Sequence, residues 1–215
     1  DIKNPLNAMM MACKLIEMEE YDKDISSKYI GMIYKQAEFL NSMVNKLLDI
    51  SSIESGVFRL NRLYGRVSEI IDESIAIHIL LAEKRGIAVK SSCYSCDQAF
   101  FDPAAIRQVI DNLISNAIKY TSAKSSILIE VQQDGSFLKV YVADNGDAIA
   151  ENQLDKLFKP FTQLDGIRNN TDIKSSGLGL SISKRLISEH GGDIWLDREY
   201  KDGNRFVFTL PVEEE

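Results

Sequence analysis

The sequence predicts an α+β chain in two parts, a long helical hairpin followed by a mixed strand-and-helix domain, and three observations carry that expectation. Apolar residues keep one heptad period along a single segment of about thirty positions. After Gly56 the texture changes to short alternating segments. Two β-rich runs, Ile127 to Gln133 and Phe137 to Ala143, then flank the turn sequence Asp134-Gly135-Ser136, a hairpin signal.

The first helix is expected from Leu6 to Met18, a run rich in good helix formers with no glycine or proline after Pro5. Glu19 to Asp24 is a polar break. Ile30, Ile33, Ala37, Leu40, Val44 and Leu47 then recur at alternating spacings of three and four. They belong to a helix expected from Ile25 to Ser55, about 45 Å long and too long for one compact domain. Two such helices form an antiparallel hairpin, and a lone hairpin leaves one side of its seam open. Either two hairpins pair into a four-helix bundle, or the hairpin packs on the rest of its own chain.

Residues 1–56 are therefore assigned to the hairpin and 57–215 to the second domain. In the second domain Val67 to Lys84 reads as a helix and Ile87 to Ser92 as a strand. Asp102 is a good N-cap with Pro103 at the first helical position, opening a helix to Tyr120. The two β runs follow, then a helix from Leu178 to Glu189 stopped by Gly191-Gly192. Strands at Ile194 to Leu196 and Phe206 to Leu210 complete an α+β order.

Composition excludes several classes of function. Hydrophobic residues make up 45% and charged residues 27%, enough apolar surface for a real core, so general disorder is out. Acidic residues outnumber basic ones 32 to 25, for a net charge of −7. With no basic stripe, nucleic acid is not an expected partner. No stretch approaches the roughly 20 apolar residues of a membrane span, and no leader pattern is present, so a soluble, membrane-free part is expected. Cys13, Cys93 and Cys96 are odd in number and too few for a disulfide framework, which fits a reducing cytoplasm. Cys93-Tyr94-Ser95-Cys96 lacks the second ligand pair of a zinc site.

Four clusters in the second domain make chemical sense together. Asn112, Asn116, Lys119 and Tyr120 lie three to four positions apart and share a helix face. A row of amides beside a lysine suits a magnesium ion held by one amide oxygen plus water and phosphate, although a solvated polar face is the plain alternative. Asp144-Asn145-Gly146-Asp147-Ala148-Ile149 follows a strand. Its carboxylate can accept from an exocyclic amino group while a glycine lets backbone approach a flat ring, although an ordinary turn uses the same residues. Phe158-Lys159-Pro160-Phe161 puts two aromatics around a proline. Gly177-Leu178-Gly179-Leu180 opens a helix, where free N–H groups and the dipole attract an anion. Thr162 to Ser176, polar and aperiodic, has the texture of a mobile lid.

In that order, Asn-x3-Asn-Ala-x-Lys-Tyr, Asp-x-Gly, Phe-x-Pro-Phe and Gly-Leu-Gly-Leu resemble the asparagine, first glycine, phenylalanine and second glycine boxes of sensor histidine kinases, over about Val57 to Val212. The resemblance implies a GHKL/Bergerat-type α/β sandwich that binds ATP and Mg²⁺, the fold shared with gyrase and anti-sigma-factor kinases. By position it implies Asn116 as magnesium ligand, with Asn112 nearby and Lys119 and Tyr120 toward the phosphates. It implies Asp144 as the adenine-reading acid, Gly146, Ile149 and Phe161 around the nucleotide, and Gly177, Leu178 and Gly179 offering N–H groups to phosphate. Ala148 stands where a second glycine is usual, and Ser175 where the second glycine box often begins.

Asp1-Ile2-Lys3-Asn4-Pro5-Leu6 is similar to the histidine box, His-(Glu/Asp)-x-x-(Thr/Asn)-Pro-Leu, starting at its second residue. The phosphoacceptor histidine is then expected just before Asp1. Asp1 would take the imidazole proton, and Asn4 would orient water for dephosphorylating a partner. The resemblance implies a homodimer through the hairpin and a response-regulator receiver domain as partner. His190, at a helix end, is expected to cap carbonyls, and His78 to be packing. Two rivals remain: a non-catalytic ATP-binding scaffold, and a gyrase-type ATPase or serine kinase. Light scattering of the chain at micromolar concentration is expected to report twice the chain mass, and a strict monomer would remove the bundle.

Overall fold

The structure is a computed structural model that describes residues 3–17, 23–54, 59–93, 97–122, 125–162 and 177–213. The chain divides into two compact units, Asp1–Phe58 and Arg59–Glu215. Asp1, Gly56, Tyr94 to Cys96, Ser175 and nearly all of the expected lid lie outside the described residues.

The first unit holds α1 (Lys3–Glu17) and α2 (Lys23–Glu54), packed against each other. Ala12 and Met43 are buried where they meet. The seam residues behave differently. Ile30, Ala37 and Val44, each seven residues from the next, are exposed, while Ile33 and Leu40 are half-buried. One hairpin thus leaves an apolar row uncovered. Leu6, Met10, Met11, Met32 and Tyr34 are also exposed.

The second unit opens with β1 (Leu63–Arg66), α3 (Val67–Lys84) and β2 (Ala88–Cys93), continues through β3 (Gln98–Phe101), α4 (Pro103–Tyr120), β4 (Ser126–Asp134) and β5 (Phe137–Asp144), and after a 3-10 turn at Glu151–Lys156 ends with α5 (Gly179–Glu189), β6 (Ile194–Leu196) and β7 (Asn204–Pro211). Five strands form one mixed sheet in the order β2-β4-β5-β7-β6, with β2 parallel to β4 and every other pair antiparallel. Burial alternates along β4 and β5, so one face of the sheet is covered. Against that face α4 sets Ile106, Val109, Ile110, Leu113, Ile114 and Ile118, all buried. Its i, i+3, i+4 spacing makes this stripe.

Two strands were not legible in the sequence. The short β1 and β3 pair antiparallel as a separate ribbon, with Gly65 opposite Ala99 and Leu63 opposite Phe101. A Cβ on Gly65 would lie 3.3 Å from the Phe101 ring, so a glycine lets that ring lie across the strand.

The start of α4 is tied to the end of α5 by side chains that lie far apart in sequence. Asp102 caps α4, accepting from Ala104 N at 2.9 Å and Ala105 N at 3.1 Å. The same residue's own N–H donates to His190 Nε2 at 3.0 Å, and the His190 Nδ1–H donates to the Leu186 carbonyl at 2.7 Å. These partners set a neutral tautomer with the proton on Nδ1. The capping role expected for His190 is present, and the tie to α4 is added to it. His78 lies between α3 and α4, 3.3 Å from Asp111 Oδ1.

Burial holds the His190 imidazole below its ordinary range, against the opposing effect of the Leu186 carbonyl. A buried histidine with a lowered folded pKa contributes stability that is full above the unfolded value of about 6.5 and is lost as pH falls below it. His190→Gln is expected to cost about 1–3 kcal/mol at about pH 8. Its melting temperature should fall less than that of the unchanged protein between about pH 8 and pH 5.5. Equal slopes in scanning calorimetry would count against this account.

Candidate nucleotide site

Asp144 ends β5, and its side chain is only 5% exposed. Its place follows from the period-two alternation that also buries Leu138, Val140 and Val142. Gly146 N donates to its Oδ1 at 2.7 Å, and Asn204 Nδ2 donates to the same oxygen at 3.3 Å. Burial still raises the Asp144 carboxyl above the usual carboxylate range, against the lowering effect of the bonds from Gly146 and Asn204 and of the nearby Thr121 hydroxyl. A carboxylate accepts at about four lone-pair sites, so two donors on Oδ1 leave capacity for an external one.

The backbone closes tightly around this residue. A Cβ on Gly146 would lie 2.7 Å from Asp144 Oδ1 and 3.0 Å from the Tyr120 carbonyl oxygen. The first glycine cluster is thereby pressed against the C-terminal end of α4. Gly203, with φ 141°, brings its backbone so close that a Cβ would lie 2.0 Å from the Asp144 carbonyl. Ala148 is exposed. Ile149 is half-buried, and its N–H donates to Asn204 Oδ1 at 3.0 Å.

The helix clusters meet through Asn112 and Gly179. Asn112 Nδ2 donates to the Ser183 hydroxyl on α5 at 3.0 Å, and a Cβ on Gly179 would lie 1.9 Å from Asn112 Oδ1. Asn112 therefore joins α4 to the first turns of α5. Asn116, one turn further along α4, is half-buried and makes no side-chain hydrogen bond among the described residues. Its amide oxygen suits a hard cation that keeps most of its water. Lys119 and Tyr120 are half-buried on the same face. Leu178 is fully buried, and its carbonyl accepts from Ile182 N and the Ser181 hydroxyl, which anchors the start of α5.

The phenylalanine cluster reaches the same place through Gly177, whose φ is 66°. A Cβ there would lie 2.7 Å from the Thr162 carbonyl oxygen and 2.8 Å from the Phe161 carbonyl carbon. Phe161 is itself left-handed, with φ 60°, and 49% exposed. Such a backbone costs a non-glycine residue about 1–2 kcal/mol, so its surroundings hold it there. Phe158 lies under Lys184 Nζ of α5, at 5.2 Å from the ring centroid. On the other unit, Asn4 is exposed in the first turn of α1, beside buried Pro5. No group of three or more His, Cys, Asp or Glu that could hold a metal occurs among the described residues.

Asn204 and Gly203 escaped the sequence reading. The signal was faint: a Gly-Asn pair just before a β run reads as a turn, and nothing in it points to Asp144, 60 residues earlier.

A mixed sheet with helices on one face, a buried acid at a strand end and a glycine-opened helix beside an amide-bearing one define an ATPase-type α/β sandwich. The description "Histidine kinase-, DNA gyrase B-, and HSP90-like ATPase" matches residues 101–214, and "His Kinase A (phospho-acceptor) domain" matches residues 1–56. The chain belongs to the histidine kinase family and carries the core of a sensor histidine kinase. It is similar to an uncharacterized sensor-like histidine kinase of Rhizobium meliloti, with 32% identity over 215 residues, 98% of this chain and 41% of that protein. The chain thus spans less than half the length of that relative. Among solved structures, histidine kinase ThkA in complex with response regulator protein TrrA matches with a TM-score of 0.80 and 26% identity, over 99% of this chain and 59% of that one. Full-length ShkA in complex with AMPPNP shares the fold with a TM-score of 0.75 and 24% identity, over 99% of this chain and 44% of that one.

The raised carboxyl of Asp144 makes a stability prediction with a definite sign. Its folded pKa lies above the unfolded one, so the ionised group subtracts from stability at neutral pH, and that loss fades as pH falls toward the ordinary carboxylate range. Asp144→Asn keeps an acceptor for Gly146 and is expected to unfold in urea at the same or a higher midpoint at about pH 7. Its advantage should shrink on acidification. A lower midpoint at neutral pH would contradict the assignment.

Proposed function

We propose that this chain is the ATP-binding and phosphoryl-transfer core of a two-component sensor kinase, passing the γ-phosphoryl group of Mg-ATP to a histidine and from there to an aspartate of a response regulator. The observation that supports this reading is that Gly146, bonded to Asp144, lies against Tyr120 while Gly179 lies against Asn112, at either end of the α4 segment that carries Asn116. Asp144 would accept from the exocyclic amino group of adenine, and Gly146 and Ile149 would shape the base pocket, with Phe161 at its margin. The N–H groups of Gly177, Leu178 and Gly179, at the positive end of α5, would face phosphate oxygens. Lys119 and Tyr120 would lie toward the same phosphates.

Mg²⁺ held through the Asn116 amide would neutralise charge that develops on the phosphoryl oxygens during transfer. The protein's share is then positioning, exclusion of water and a fixed array of donors. On the hairpin, Asp1 would take the imidazole proton, and Asn4, exposed on the first turn of α1, would orient water for dephosphorylating the regulator. The ThkA complex contains a response regulator, which supports a receiver domain as partner. The uncovered row of Ile30, Ala37 and Val44 supports a homodimer in which a second hairpin buries it.

Asp144→Asn is expected to abolish binding of ATP in calorimetry while leaving the fold intact. With a histidine placed ahead of Asp1, the protein should take up acid-labile label from γ-labelled ATP, and Asn116→Ala should reduce labelling by about a hundredfold or more. Tight ATP binding with no label on that histidine would favour the scaffold reading. Acid-stable label on a protein substrate would favour a serine kinase.

A further inference from the structure

Ile182, Ser183, Leu186 and Ile187 form the buried face of α5, and Ser183 is the polar residue among aliphatic ones. It is 1% exposed. Alanine would pack that face of the helix as well, so a hydroxyl there needs a hydrogen-bond partner to offset its lost hydration. The partner is Asn112, 71 residues earlier on α4, whose Nδ2 donates to the Ser183 hydroxyl at 3.0 Å.

Gly179 and Ser183 lie four positions apart on α5, so they share one face and are separated by about one helical turn. The planar amide of Asn112 spans that turn. Its Oδ1 takes the place of a Cβ on Gly179, which would lie 1.9 Å away, and its Nδ2 reaches Ser183. The two contacts do different things. Close contact at Gly179 limits how near the helices come, and on its own it would let α5 slide along α4. The directional bond to Ser183 stops the sliding. Gly177 and Leu178 lead into α5 at Gly179, and Asn116 lies one turn beyond Asn112 on α4. The register set by Asn112 and Ser183 is therefore also the register of the first N–H groups of α5 against Asn116.

We propose that Ser183 is a positioning residue for the phosphate chain of the nucleotide: acting through Asn112, it holds the start of α5 at one register against α4. This rests on the reading of Gly177 to Gly179 and Asn116 as the phosphate end of a nucleotide site. A ligand held between two helices is bound well only when both sets of groups stand at its own spacing, and in catalysis a displacement of about 1 Å can cost on the order of a hundredfold in rate. The base end would be untouched, because Asp144 takes its bonds from Gly146 and Asn204 rather than from α5.

The test is titration of the whole chain with ATP, ADP and adenosine, by calorimetry for the two nucleotides and by amide chemical shifts for adenosine. Ser183→Ala should bind ATP and ADP about tenfold more weakly than the unchanged protein, and adenosine equally well. Ser183→Cys, of similar size and a weak acceptor, should fall between them and provides the comparison if Ser183→Ala does not fold. In an Asn112→Ala background, Ser183→Ala should cost no further affinity, because the bond is already gone. Equal losses for all three ligands would mean a merely structural role and overturn the inference. A second loss of the same size in the Asn112→Ala background would mean that Ser183 acts by another route, and would overturn it too. If Asp144→Asn loses ATP but both Ser183 variants keep the original affinity, the inference fails alone. If the unchanged chain binds no ATP, the nucleotide-binding reading fails and takes the inference with it.

Discussion

A carboxyl group placed at the buried end of a central strand requires donors before anything can be built around it. Asp144 receives them from a backbone N–H two residues later and from an asparagine on the adjacent strand. Even so, burial leaves it with a raised proton affinity. The neighbouring glycines follow from the same constraint. Residues 146 and 203 carry no side chain because the space a Cβ would need is taken by Asp144 itself.

Segments separated in sequence are brought together at three glycines by close approach. Gly146 sits against the last carbonyl of α4, Gly179 against Asn112, and Gly177 against Phe161 and Thr162. In each case a methyl group would overlap a neighbour by a wide margin. The glycines therefore set how near the strand end, the two helices and the aromatic turn can come. Asn112 illustrates the division of labour on α4. Its amide is committed to Ser183 of α5, whereas Asn116, one turn on, makes no bond among the described residues and remains available.

The hairpin obeys a different constraint. A heptad seam on α2 is satisfied in part by α1, where Met43 and Ala12 are buried, and in part left open at Ile30, Ala37 and Val44. Apolar residues at a fixed seven-residue interval on an exposed face mark a surface shaped for another helix. That property belongs to the hairpin's own geometry.

Period and capping were enough to read most elements from the sequence. Local signals place α3, α4, α5 and the β4–β5 hairpin to within a residue or so, because helix caps, proline at a first turn and Asp-Gly turns act over a few positions. The order of the four boxes likewise identified Asp144, Gly146, Asn116 and Gly179 as candidates, since each is a residue type with a local reason to be there. The ribbon of β1 and β3 was invisible because neither strand is long enough to show a period, and their pairing spans an intervening helix and strand. Asn204 was invisible for a related reason: its meaning lies in the register that sets it opposite Asp144 across β5 and β7. By itself the sequence determined which residues could do chemistry and which segments would be helix or strand. Only the tertiary structure decided which amide holds which oxygen, because hydrogen-bond partners are chosen by distance in space and the chain brings them together only when the sheet forms.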